Sequence, residues 1–562
     1  MTTTPTAVPD VDAVFEERAE NLTNEQFVEW TYVSSFEETV LRHLSSSAPK
    51  LLVGPRGCGK STLLRLAHDR ILKAGRDVPI LVNYGKSMFL EPAFTARADA
   101  DAFFQDWLVA RIIVAAGESF RDAGVPDELT KLGAKCQEFI DSAESDPKAS
   151  RLNLPGPSLV SQLLSGWAKE VGKSRVVLLL DDAAHAFVPE QQRIFFEFLR
   201  NLRSSTVTFK AAIYPGVTDF SPNFNIGHDA KAVVAWVGTD TPDYLQFMRQ
   251  LLDRRLPHRG GVAFSDDLAD LFAVASFGIP RTFMSMVESY VEQNPKPARV
   301  TQTATQIINI HADQTEKLYA QLATKLPTYQ RYVEAGDVVR HAMLAQLKEF
   351  NRGRSTKSGP QEQAVEVAIR QPLDAKLVTI LSLLEYAGLV RQTSETVSLG
   401  EDGTYAKAAV HSGLLLARSA VSVGQHPTIR ERATAAMRQS RQSSFKRVNP
   451  EVLLDPLTAE SCRLQVGSCQ NCGAPRQVEG ARFCSNCGSE LLDESRYSAL
   501  VRADIEELAL TPKKLTALRA QGFHTVDDIL RDRGMLELQK ANRIGDHWSR
   551  RILSLAEEYV SV

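Results

Sequence analysis

The chain has 562 residues, of which 43% are hydrophobic and 24% charged, with a net charge of -3. That balance excludes a collagen, a coiled-coil rod and wholesale disorder, and the length allows roughly three to five domains. Near-neutral charge excludes a polybasic nucleic-acid coat, so any nucleic-acid surface has to be local.

Residues 1–24 are acidic, with Asp10, Asp12, Glu16, Glu17 and Glu20 against Arg18, and read as a flexible lead before an entry helix near Glu25–Ser46. The start lacks a basic n-region and an apolar h-region, and no apolar run reaches the ~18 residues that span a bilayer. The expectation is a soluble, cytoplasmic protein with no membrane contact.

From 25 to 240, strand-like runs alternate with helical patterns. Lys50–Val53, Pro79–Tyr84, Arg175–Leu180, Val207–Tyr214 and Ala232–Trp236 read as strands, and Ser61–Ala74, Phe103–Ala116 and Glu190–Arg203 as helices. Arg175–Leu180 is almost continuously apolar, as expected of a strand buried on both faces. The pattern predicts an α/β domain with a mainly parallel sheet. Residues 241–330 read as helices only, an all-α lid. Residues 331–424 read as helix, helix and β-hairpin, the pattern of a winged helix. Residues 425–460 read as a linker that carries Arg430, Arg432, Arg438, Arg441, Lys446 and Arg447 against Glu431 up to Val448.

Within the α/β domain, Gly54-Pro55-Arg56-Gly57-Cys58-Gly59-Lys60-Ser61 fits GxxxxGK[ST] between a strand and a helix. Glycines let backbone N–H groups turn inward around phosphate oxygens, and the helix N-terminus adds its positive end. Lys60 is expected at the β- and γ-phosphates, Ser61 on Mg²⁺, and Thr62 in the same first turn of the helix. The run Val176–Leu180 delivers Asp181 and Asp182 to the carboxyl end of a strand. Asp181 is the expected Mg²⁺-side carboxylate, and Asp182 the group that orients or deprotonates an attacking water.

These residues, together with Gly278-Ile279-Pro280-Arg281, resemble the AAA+ ATPases, especially the initiator clade with the origin-recognition-complex ATPases. The resemblance spans about residues 30–330. It implies ATP and Mg²⁺ as ligands, ATP hydrolysis, a homo-oligomer and, for Arg281, the sensor-2 role beside the γ-phosphate. Tyr214 and Thr218 stand where sensor 1 is expected, without the usual Asn. Asp182 stands where many members carry Glu, one methylene longer, which argues against fast hydrolysis. Arg200 and Arg203 stand where the family often places an arginine finger. A winged helix after the lid is shared with both the initiator clade and the STAND signalling ATPases. Two functions therefore stay open: a nucleic-acid-binding switch, with DNA favoured, or a signalling or antiviral-defence ATPase that works with a separate effector.

Residues 461–492 contain four of the seven cysteines: Cys469 and Cys472, then after eleven residues Cys484 and Cys487, each pair trailed by a glycine. Two such knuckles present four thiolates tetrahedrally, the demand of a structural Zn²⁺ site, and the module resembles zinc ribbons. Residues 493–562 read as a small all-α domain. Gly522 is expected in a turn and Thr525 as the following N-cap. Its layout resembles helix-hairpin-helix domains, with Gly545 alone where the common pattern has two glycines. Lys513, Lys514, Arg519, Arg543, Arg550 and Arg551 could make a phosphate surface; a protein-docking domain is the alternative.

Overall fold

A computed structural model describes residues 15–561, apart from 17, 122–123, 125–126, 183–188, 257–263, 353–354, 357–358, 361–362, 399–402, 424–426, 438–444, 465–467, 470, 477–480, 482, 490 and 492–494. The strands β1 (Lys50–Val53), β2 (Val78–Asn83), β3 (Val176–Asp181), β4 (Val207–Ile213) and β5 (Lys231–Val234) form one sheet in the order β2-β3-β4-β1-β5, parallel throughout. β3 and β4 are buried along their whole length, which explains why β3 lacks apolar–polar alternation. One face of the sheet packs on helices Ala100–Ser119, Asp127–Ala143 and Pro157–Glu170 through Phe103, Trp107, Ile140 and Leu164. The other packs on Ser35–Leu44 and Lys60–Ala74 through Leu41, Leu44, Leu64 and Ala67.

The entry helix expected over Glu25–Ser46 is two helices, Asn24–Trp30 and Ser35–Leu44. Each has its own capping box, Thr23 with Gln26 and Ser34 with Glu37, so the chain restarts at Ser34 instead of continuing. The lead differs from expectation too. Residues 1–14 lie outside the described residues, but Phe15, Ala19 and Leu22 are buried in the lid core and Arg18 is held by carboxylates. Acidic composition predicts solvation; three apolar side chains and one arginine outweigh it here.

After β5 come lid helices Tyr244–Arg255, Asp266–Ala275, Pro280–Gln293 and Val300–Lys325. Gln330–Arg352, Ala375–Tyr386 and the hairpin of β7 (Val390–Ser398) and β8 (Thr404–Val410) follow. The hairpin is extended by β6 (Glu366–Arg370), antiparallel to β8. This helix, helix and hairpin unit is the expected winged helix, and it shares one continuous core with the lid.

The 425–460 segment is not a free linker. Helix Ile429–Ala436 buries Ala433 and Ala436 in the lid core. Lys446–Val448 forms β9, paired parallel to β6 at the edge of the winged-helix sheet. Its six cations concealed the small apolar residues that dock it; Arg438 and Arg441 lie outside the described residues. The C-terminal domain has a core of its own around Leu518, Val526, Ile529 and Ile552, with Gly522 at φ 97° in the turn and Thr525 capping Val526–Arg531. Among the described residues no helix is long and apolar enough to cross a membrane.

Core and lid meet at Gly278. It has φ 78°, a Cβ there would lie 2.1 Å from the Val237 carbonyl oxygen, and its N–H donates to the Tyr244 hydroxyl at 3.1 Å. Gly278→Ala should therefore destabilise the core–lid unit by about 3 kcal/mol, through strained backbone and a backbone clash. Calorimetric melting checks this, and an unchanged melting temperature would contradict it.

Candidate nucleotide site and metal centre

In a parallel sheet, β1, β3 and β4 all end at the same edge, so loops that follow them converge there. Residues 54–59 follow β1, and Lys60 starts the helix that leaves the loop. Gly57 and Gly59 have φ of 79° and 95°, a left-handed conformation that side chains resist. A Cβ on Gly54 would lie 2.6 Å from the Cys58 sulfur, so the loop also needs a bare Cα at its start. The Lys60 ammonium donates to the carbonyls of Gly54 and Pro55 at 2.8 and 2.9 Å and lies 3.7 Å from the centroid of the Tyr214 ring.

Asp181 closes β3 and is 5% exposed. Burial, then the neighbouring Asp182 carboxylate, push its carboxyl up to about 7, while a hydrogen bond from Ser61 works the other way. A divalent cation between Ser61 and Asp181 would relieve that unfavourable burial of charge. Asp182 has φ 49°, and its N–H donates to Asp181 Oδ1 at 3.0 Å. Its Oδ1 accepts from the Tyr214 hydroxyl at 3.2 Å. Tyr214 follows β4, the strand between β3 and β1, and so reaches both acid and lysine. Thr218 bonds to the Tyr214 backbone and shapes its loop.

Arg281 enters from the lid. Its N–H lies 3.4 Å from the Gly57 carbonyl, and a Cβ on Gly57 would meet Arg281 Cβ at 2.9 Å. Lys60, Ser61, Thr62, Asp182, Tyr214 and Arg281 thus line one cavity. Its walls include Phe27, Trp30 and Tyr32 from the entry segment and Phe247, Leu251 and Met284 from the lid, together with the charged Glu20, Glu37 and Arg255. Sequence reasoning missed this slot. Alternating aromatics in an entry helix read as ordinary core; only the Thr23 and Ser34 boxes, which break the helix there, could have marked it. Arg200 and Arg203 stand apart. They lie near the start of β4, at the opposite edge of the sheet, where Arg200 pairs with Glu197 and Arg203 donates to the Asp229 carbonyl.

Sequence reasoning also missed the charged groups that line this cavity, among them Arg18 and Glu558. Glu558 belongs to the C-terminal helix Asp546–Ser561. Its Oε1 lies 3.1 Å from Arg281, 3.2 Å from Arg56 and 3.5 Å from Arg18. Burial would raise its carboxyl, but Arg56, Arg281 and Arg18 outweigh that and hold it well below the usual carboxylate range. Of the cations expected to offer a phosphate surface in this domain, Arg551 pairs with Glu288 of the lid at 2.8 Å, Arg519 with Asp504 and Glu506, and Arg550 with Asp546.

The four knuckle cysteines converge. All their sulfurs lie within 4.8 Å of one another, with 3.6 Å between Cys469 and Cys487 and between Cys472 and Cys484. A Zn–S bond of about 2.3 Å implies tetrahedral S···S edges of ~3.8 Å, so the set fits Zn²⁺ without rearrangement. Gly473 and Gly488, both at φ 69°, donate back to the carbonyls of Cys469 and Cys484 and close the knuckles.

Comparison with known proteins gives one family-model match over a short stretch and two distant structural matches. Residues 13–77 match the ORC-CDC6-like family model. No curated protein matches the chain. Among solved structures, the Aeropyrum pernix Orc1 protein in complex with DNA is 15% identical, covering 73% of this chain and 95% of that one, with a TM-score of 0.29. Cdc6p from Pyrobaculum aerophilum is 14% identical, covering 73% and 96%, also at 0.29.

Elemental analysis should find one Zn²⁺ per chain. Cys484→Ser should release it and unfold residues 468–491, since site formation and folding are coupled in so small a unit. The core–lid melting transition should persist, and a zinc-free, fully folded wild type would overturn the assignment. With sheet order, glycine loop, acid pair and lid arginine in place, the core is a P-loop-type α/β module, within which residues 13–77 match the ORC-CDC6-like family model.

Proposed function

We propose that the chain is an ATPase whose ATP-controlled state acts on nucleic acid, with DNA favoured. One observation carries the nucleotide half of this reading: Lys60, Ser61, Asp182 and Arg281, from three separated segments, line one cavity that also has an aromatic slot. ATP would place its base against Phe27, Trp30 and Tyr32 and its phosphates in the Gly54–Thr62 loop. Ser61 and Asp181 would hold Mg²⁺, which neutralises phosphate charge, and Arg281 would meet the γ-phosphate. Asp182, oriented by Tyr214, would align the attacking water. The short Asp182 side chain favours slow turnover, suited to a switch.

The nucleic-acid half is supported by the winged-helix unit, with Lys446 and Arg447 on the edge strand of its sheet. The zinc module and the C-terminal domain would extend that surface, and ATP would organise several copies into an oligomer. A second reading, a STAND-type signalling or defence ATPase with a separate effector, is favoured by the contact of the C-terminal domain with the nucleotide cavity. In that reading the domain senses a trigger instead of holding DNA.

Lys60→Ala should reduce ATP affinity or turnover tenfold or more, because the loop loses its cation at the β- and γ-phosphates. Asp182→Asn should retain ATP and slow hydrolysis by on the order of 10² or more. Nucleotide binding and single-turnover hydrolysis read both, and wild-type behaviour in Lys60→Ala would remove the phosphate-loop assignment.

Gel shifts at two salt concentrations, with and without ATP, separate the two functions. Changing Arg438, Arg441, Lys446 and Arg447 to Ala should weaken duplex binding and lower its log–log salt slope by up to ~0.9 per lost phosphate contact. A wild-type chain that binds no duplex at low salt with ATP and Mg²⁺ points to the signalling ATPase.

A further inference from the structure

The C-terminal helix Asp546–Ser561 has two working faces. Ile552, Ala556 and Val560 are buried in the core of the C-terminal domain. On the other side Arg551, Ser554 and Glu558 face the nucleotide module. Arg551 makes two 2.8 Å contacts to Glu288, on the same helix as Arg281. The Ser554 carbonyl accepts from Arg18 at 3.0 Å, and Glu557 pairs with Arg18 at 3.1 Å. The Glu558 carboxylate takes Arg56 of the phosphate loop and Arg281 of the lid on a single oxygen. Farther out, Glu91 of the core accepts from the backbone N–H groups of Arg496 and Tyr497, and Gln321 of the lid donates to Glu507. The domain is therefore seated on core and lid together, with one carboxylate inside the cavity.

In the ATPase reading Arg281 would meet an incoming γ-phosphate, and Arg56, which lines the same cavity and shares Glu558 with it, is a second cation open to that phosphate. A guanidinium has five donors in one fixed fork, so turning it toward Glu558 takes from a phosphate oxygen the donors and the orientation that Glu558 holds. A γ-phosphate beside an ionised Glu558 would also add like-charge repulsion. A diphosphate lacks the γ-phosphate that would make this demand and would leave the contact intact.

We propose that Glu558 is an internal competitor of the ATP γ-phosphate: the C-terminal domain docks on the ADP-bound nucleotide module and is released when ATP takes Arg56 and Arg281. This rests on the ATPase reading and adds its regulation. Release frees the face of the C-terminal helix that carries Arg551 and the lid face that carries Glu288, so the nucleotide decides whether those surfaces meet partners. The partition is a competition, so its size is set by the difference between γ-phosphate and carboxylate at the same two arginines.

The experiment uses the full chain. Affinities for a non-hydrolysable ATP analogue and for ADP, both with Mg²⁺, are measured calorimetrically for wild type, Glu558→Gln and Arg551→Ser. Glu558→Gln keeps the shape and removes the charge. Arg551→Ser weakens docking without touching the nucleotide cations, and so serves where Glu558→Gln fails to fold. Hydrogen exchange over residues 546–560 reports docking directly.

The proposal expects both variants to bind the ATP analogue about tenfold more tightly, with ADP affinity changed less than threefold. It expects the analogue, and not ADP, to raise exchange in the wild-type helix. Tight ATP-analogue binding that neither variant changes, with exchange equal under both nucleotides, overturns the competitor and leaves the ATPase reading standing. A chain that binds neither nucleotide, in wild type and variants alike, overturns the ATPase reading and the competitor with it.

Discussion

The phosphate loop and the lid touch with no room for a methyl group between them. A Cβ on Gly57 would meet Arg281 at 2.9 Å and Ile279 at 3.1 Å, and a Cβ on Gly388 would meet the other end of Ile279 at 2.9 Å. Ile279 is thus wedged between the nucleotide loop and the end of the winged-helix segment Ala375–Tyr386. Close packing makes such a wedge transmit displacement instead of absorbing it. Arg281, the lid and the winged helix thus meet the nucleotide loop at one closely packed point.

A second contact links the same bodies from the acid side. The Tyr214 hydroxyl serves Asp182, its ring lies beneath Lys60, and it packs edge-on against Tyr386 at 5.7 Å. Two residues on, a Cβ on Gly216 would stand 2.4 Å from the Ser382 carbonyl oxygen. Tyr214 and its loop are therefore in direct touch with the winged helix. One aromatic pair and one backbone contact thus separate Lys60 and Asp182 from the winged helix.

Much of the site was legible in the sequence because its parts are local. The 54–61 loop is eight consecutive residues, the acid pair ends an apolar run, and Arg281 follows a Gly-Ile-Pro signature. The cysteine knuckles are legible for the same reason: spacing alone brings four sulfurs together. Parallel strand polarity then does the assembly, since every strand ends at the same edge. What escaped reading is whatever depends on one domain landing on another. Glu558 lies some five hundred residues from Arg56, and its helix reads as an ordinary amphipathic segment; no periodicity announces that the second face is occupied. The 15–24 and 429–448 segments were misjudged through composition, because charge density describes the solvent-facing side chains and not the few apolar ones that anchor a segment.

The zinc module lies between two anchored points. Cys462 is buried in the lid and winged-helix core, and the backbone N–H groups of Arg496 and Tyr497 are held by Glu91. If the C-terminal domain leaves its seat as proposed, the stretch from Cys462 to Arg496 still ties it to the core, so its local concentration near the cavity stays far above that of a free domain. Return is then unimolecular and independent of how much protein a cell contains. With Zn²⁺ held by the four cysteines that tie would be shorter and stiffer than without it, so losing the metal would dilute the domain around its own docking site.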